Sequence, residues 1–162
     1  MSASRAILLL LAAAGVVQLL HYYPLLPDTM ASHFDGTGRP DGFQSRDAFF
    51  ALSALMLMLT VVIFGGLGVL FRTIPSKWFN LPNRDYWLAP ERREATIETI
   101  SGQMEWFGAA SLALYLFVIQ MVVETNRTNE PKLDSGTMFA VLGIYLLFAG
   151  VWIARFIGRF RK

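Results

Sequence analysis

The residues best suited to chemistry lie together in one polar segment: Asp28, His33, Asp35, Arg39 and Asp41. They fall within Leu26-Pro27-Asp28-Thr29-Met30-Ala31-Ser32-His33-Phe34-Asp35-Gly36-Thr37-Gly38-Arg39-Pro40-Asp41-Gly42-Phe43. An imidazole beside carboxylates is a donor set for zinc or another transition metal. His33 and Asp35 are two residues apart, so an extended backbone would turn both to one side. They are the pair on which a metal site would rest. The same residue types also build turns: Asp accepts from nearby backbone amides, and a histidine can anchor a loop against helix ends. A metal-assisted hydrolase needs an activated water and a base as well as ligands, and no residue here stands out as that base. The segment therefore reads as a recognition or scaffold element, with no cofactor and no catalytic residue expected.

The elements that must position this segment are apolar blocks. The 162-residue chain is 54% hydrophobic and only 16% charged, with a mean hydropathy of +0.45; an ordinary soluble domain is about one-quarter charged. The apolar residues gather at about 6–23, 48–71, 107–123 and 137–157, and no block holds Asp, Glu, Lys or Arg before Arg155. About 20 helical residues cross the hydrocarbon core of a bilayer. The expected fold is an all-α membrane protein, one domain of four transmembrane helices, with an outer loop over 24–47 and an inner loop over 72–106. Arg5 and Ala12-Ala13-Ala14 give the first block some likeness to a signal peptide, but the alanines fall mid-run, so it reads as an uncleaved helix. The absence of cysteine excludes disulfides and thiolate metal sites.

Basic residues orient the bundle, because Lys and Arg stay on the cytoplasmic side. One side carries ten: Arg5, Arg72, Lys77, Arg84, Arg92, Arg93, Arg155, Arg159, Arg161 and Lys162. The other carries four: Arg39, Arg46, Arg127 and Lys132. Both termini and the inner loop are predicted cytoplasmic. The C-terminal mix of aromatics and cations reads as an interfacial anchor whose long side chains reach lipid headgroups. The cations flank helices instead of forming a stripe, so no nucleic-acid partner is expected.

The inner loop is rich in both prolines and aromatics, a pairing foreign to disordered linkers. Trp78, Asn83, Arg84, Tyr86, Trp87, Arg92 and Arg93 are its candidate contact residues, in an amphipathic segment predicted to pack on the interface or under the bundle. Pro90 is placed to open a helix that runs through Gln103, Glu105 and Trp106 into the third span, with Ser101-Gly102 as a point where it could break. Gly65-Gly66-Leu67-Gly68 permits close helix approach. Gln18, Thr60, Ser111 and Gln120 are neutral mid-span groups that suit helix–helix hydrogen bonding better than transport. Asn126-Arg127-Thr128 fits a glycosylation sequon, for which chance is the default explanation.

Leu26-Pro27-Asp28, then Ser32-His33-Phe34-Asp35, Gly38 and Pro40-Asp41-Gly42-Phe43 resembles a widespread bacterial membrane-protein family known as a domain of unknown function, whose best-understood relative is the SdpI-type immunity protein. The family pattern runs Leu-Pro, His-Phe-Asn, Gly, Pro-Asp-Gly, then a membrane helix; Asp35 stands where the family often has Asn. The stretch from Asn80 to Arg93 also looks like a motif of small family members. The resemblance implies a multi-pass protein of a bacterial plasma membrane. The SdpI-type relative protects its cell from a secreted toxin and can hold a transcriptional repressor at the membrane. The function expected here is a non-enzymatic binding, immunity or signalling protein that meets an extracytoplasmic peptide or membrane partner. The alternatives are an accessory subunit of a larger membrane complex and a metal-dependent membrane enzyme.

Overall fold

The computed structural model describes residues 1–128 and 130–161; Lys162, used in the charge count, lies outside them. Six longer elements and one short helix follow in order among the described residues: α1 (Ala3–Tyr22), the strands β1 (Thr29–Phe34) and β2 (Pro40–Ser45), α2 (Arg46–Thr73), the one-turn α3 (Arg84–Trp87), α4 (Arg93–Asn126) and α5 (Ser135–Phe160). Four helices are long and apolar enough to cross a membrane, so the chain is a multi-pass membrane protein. Three helices start on side-chain caps that occupy otherwise orphaned amides. Ser2 accepts from Arg5 N, Ser45 from Ala48 N, and Asp134 from Thr137 N.

α1, α2 and α4 pack together; α5 lies against α4 alone among the helices with substantial contact. Leu8, Leu57, Ala109 and Leu112 form one buried cluster along the three-helix seam. Gly108 makes the seam tight: a Cβ there would sit 2.4 Å from the Phe64 ring. A second cluster, Leu19, Leu26, Met30, Phe49, Phe50, Ile119, Val122 and Val123, closes the end where the strands sit. α5 has only Phe160 buried. It holds to α4 through Ser111 and Tyr145, 2.8 Å apart, and through Phe107 against Tyr145, Phe148 and Trp152.

Two boundaries differ from the sequence reading. α4 starts at Arg93, because Pro90 lies in a turn in which the amides of Arg92 and Arg93 both donate to Ala89 O. The helix also continues through Ser101-Gly102: Ser101 donates to Ile97 O, satisfying its hydroxyl within the helix. Its 34 residues run roughly 50 Å, so the terminal-end portion projects past the apolar seam.

Where the helices face the termini, Glu105 is 3% exposed. It accepts from Ser2 and Ser4 (2.9 and 2.6 Å) and from Arg5 Nε and Nη2 (2.9 and 2.8 Å), while Arg5 also donates to Gly65 O. One carboxylate thus joins α1 to α4 and, through Arg5, to α2. Farther along the α1–α4 seam, Gln18 donates to Gln120, Gln120 to Tyr22 and Glu124, and Arg127 pairs with Glu124. Gln18, Gln120 and Ser111 therefore hydrogen-bond between helices, whereas Thr60 donates to Met56 O of its own helix.

Removing the buried carboxylate strands its donors. Glu105→Ala is expected to cost about 2–4 kcal/mol. Arg72→Ala, which removes exposed pairs to Glu94 and Glu98, is expected to cost about 0–1 kcal/mol. Thermal unfolding in detergent checks the order; equal losses would contradict it.

Candidate functional site: a β-hairpin clamped to the helix ends

The polar segment folds as an antiparallel hairpin, with Thr29 opposite Ser45, Ala31 opposite Phe43 and His33 opposite Gly42. Asp35 organises its tip. Its Oδ1 accepts from Thr37 N, Thr37 Oγ1 and Arg39 N at 2.8, 2.7 and 2.9 Å. Gly38 N donates to Asp35 O, and Asp35 N to Arg39 O. Gly38 has φ +83, a left-handed conformation that glycine adopts without cost. A Cβ on it would lie 2.0 Å from Leu133 O. That close approach lets Leu133 N donate to Gly38 O (2.9 Å), joining the tip to the chain just before α5.

Two residues fasten the strands to the helices. Asn126, 7% exposed at the end of α4, receives Ala31 N–H on Oδ1 and donates Nδ2 to Ala31 O, both at 2.8 Å, and to Val122 O at 2.9 Å. Its carboxamide stands in for a neighbouring strand along the edge of β1. Arg46, first residue of α2, donates to Leu26 O, pairs with Asp28 at 3.0 Å and lies 4.8 Å over the Tyr23 ring. Sequence reasoning missed both. Asn126 was legible only as a sequon, although an asparagine closing an apolar helix is itself a signal that a buried polar group has a task. A buried, triply bonded amide is closed to glycosylation in this fold.

The five candidates of this segment divide accordingly. His33 and Asp35 do not converge. Register shifts flank His33, breaking the alternation that would have turned both to one side. His33 Nδ1 instead meets Asp41 Oδ1 at 2.5 Å across the strands, with the two side chains 75% and 47% exposed. Asp35 is committed to its turn, and Arg39 closes that turn with its backbone. Asp28 is exposed and meets Arg46. Among the described residues no three His, Asp or Glu side chains gather as a metal site would require. The accessible chemistry is the His33–Asp41 pair beside Phe43, which is 63% exposed.

The inner-loop candidates are largely spent on holding the fold. Arg93 Nη2 donates to Phe71 O, Arg72 O and Ile74 O, capping the last carbonyls of α2 as a cation should. Asn83 Nδ2 and Trp87 Nε1 both donate to Phe160 O at the end of α5. Arg92 donates to Tyr86 O and lies 4.1 Å over its ring. Arg84 pairs with Asp85, next to it in the chain, and Trp78 is 73% exposed.

The Asp35 carboxyl is held below the usual carboxylate range, chiefly by the Thr37 hydroxyl and then by the Arg39 amide. Its folded value is depressed, so its contribution to the tip is complete above the unfolded value, about 3.9. The contribution is lost as pH falls through the folded value. Amide exchange at Thr37 and Arg39 should quicken in acid. Asp35→Asn, which keeps a carbonyl acceptor, should remove that acid response, and Asp35→Ala should quicken exchange at all pH. An unchanged acid response in Asp35→Asn would refute the assignment.

Residues 8–57, which comprise most of α1, the whole hairpin and the first part of α2, match the model of a family described as a domain of unknown function (DUF1648). No curated protein and no solved structure matches the chain. The matched stretch has its own boundary in the structure: it contains Arg46 and Gly38 but neither Asn126 nor Leu133, the two residues that receive the hairpin on the α4–α5 side.

Proposed function

We propose that this small membrane protein is a non-enzymatic binding protein whose hairpin meets an extracytoplasmic peptide or membrane partner, with both termini on the cytoplasmic side. The observation that carries the reading is an exposed recognition face on a fastened support. Ala31 directs its backbone groups away from β2, towards Asn126. Phe43, opposite it, directs its own to the other edge by the alternation of antiparallel pairs. An edge of that kind accepts an added strand, with neighbouring side chains supplying selectivity; here those are Phe43, His33 and Asp41. The bound segment would be an extended peptide with a hydrogen-bonding group for the His33–Asp41 pair. Occupancy would load β2, which runs directly into α2, and β1, which is bonded to α4. An immunity role like that of the SdpI-type relative is the form of this function that the loop resemblance favours.

An accessory-subunit reading draws on one further observation. α5 packs on one side only and leaves Phe139, Ile144, Leu146 and Leu147 exposed, a face that a neighbouring membrane chain could cover.

A photo-reactive residue at position 43 should yield a discrete peptide or protein adduct in cells carrying the gene. His33→Ala or Asp41→Ala should reduce that yield by about ten-fold, the worth of one lost polar contact. Cells with the gene should also outlive cells without it under challenge by the adduct-forming toxin. Adducts only from a probe at position 144 would select the accessory-subunit reading. Adducts at 43 indifferent to both substitutions would overturn the binding role.

A further inference from the structure

We infer that the groove between α4 and α5 at the terminal end is a site for one anionic phospholipid, whose phosphate lies between Arg155 and Arg159. The groove encloses about 530 Å³ and is lined by Gln103, Phe148, Val151, Trp152, Arg155 and Arg159, among others. Arg155 and Arg159 are one helical turn apart, so both side chains serve the same face. Neither has an ion pair or hydrogen bond among the described residues, in contrast to Arg5, Arg46, Arg72, Arg84, Arg92 and Arg127.

The usual structural task for a cation at a helix C-terminus is to bond the last carbonyls. Phe160 O already accepts from Asn83 and Trp87, so Arg159 is not used there. Glu91, across the neighbouring cleft that Arg159 also lines, is taken by Arg92. The two guanidiniums are left as donors without an acid, at the lip of an apolar groove. Gln103 adds an amide on the α4 side. Trp152, in the same wall, has an indole N–H without an acceptor among the described residues.

Charge complementarity selects an anion, and the rest of the lining selects an amphiphile. Phe148 and Val151 carry the groove from the arginines along the apolar length of α5, where an acyl chain fits and a small soluble anion gains nothing. Arginine forks bind phosphate oxygens in pairs, and basic pockets between membrane helices are suited to anionic headgroups. A lipid in the groove would add to the Ser111–Tyr145 and Phe107 contacts that hold α5 beside α4.

Native mass spectrometry of the full chain in detergent tests this, using phosphatidylglycerol and phosphatidylcholine with matched acyl chains. Wild-type protein should retain phosphatidylglycerol about ten-fold or more over phosphatidylcholine. Arg155→Gln or Arg159→Gln should each remove most of that preference. Arg161→Gln, the same charge change outside the groove lining, should leave it. Millimolar inorganic phosphate should not displace the lipid. Equal retention of the two lipids by wild-type protein would overturn the site without reference to any variant. So would an Arg161→Gln loss equal to that of Arg155→Gln, which would show diffuse attraction, or displacement by phosphate, which would show a plain anion site.

Discussion

A strand that packs its edge against an apolar helix bundle must have its backbone groups satisfied there. Water cannot do it, and an unpaired buried N–H or C=O costs about 1–3 kcal/mol. The bond pair between Ala31 and Asn126 answers that requirement, and the arrangement at this end of the molecule follows from it. Because one carboxamide serves both groups of Ala31, Met30 and Ala31 can be fully buried. With them inside, the second core cluster closes over the ends of α1, α2 and α4. The same bonds fix which edge of the hairpin is used up and which has no strand beside it among the described residues.

The opposite end is solved by charge instead of an amide. Glu105 collects two hydroxyls and a guanidinium from the first turn of α1, so the start of the chain is tied to the middle of α4. Between the two ends the Gln18–Gln120 bond repeats the same logic within the apolar zone. With Tyr22 bonded to Gln120 and Glu124, α1 and α4 are joined at three levels by polar contacts, whereas α5 is joined mainly by aromatic contacts. That asymmetry divides the molecule into a pinned three-helix core carrying the hairpin and a more loosely held fourth helix.

Four spans could be read from the sequence because uncharged blocks of membrane length have few other uses. The hairpin could not be read as strands: glycines and a bulge at His33 interrupt the period-two pattern, and Asp35 looks identical on paper whether it ligates a metal or ties a turn. Arg93, Asn83 and Trp87 looked like contact residues because they are polar or aromatic in an irregular stretch. Their partners are carbonyls at the ends of α2 and α5, and no local pattern tells which distant helix end a side chain will reach. Asn126, Arg46 and Glu105 share that difficulty: each is a single residue whose importance lies in what folds against it, |i−j| of 95 and 100 for the Asn126 and Glu105 contacts.

The central claim is that the hairpin and the helices move as one body because Asn126 holds the edge of β1. Residue-resolved hydrogen exchange in micelles measures it directly at the Ala31 amide, whose acceptor is the Asn126 side chain. The account predicts exchange as slow as at Val122 and Val123 in the core of α4. Exchange at Ala31 as fast as at solvent-exposed amides of the hairpin tip would contradict it.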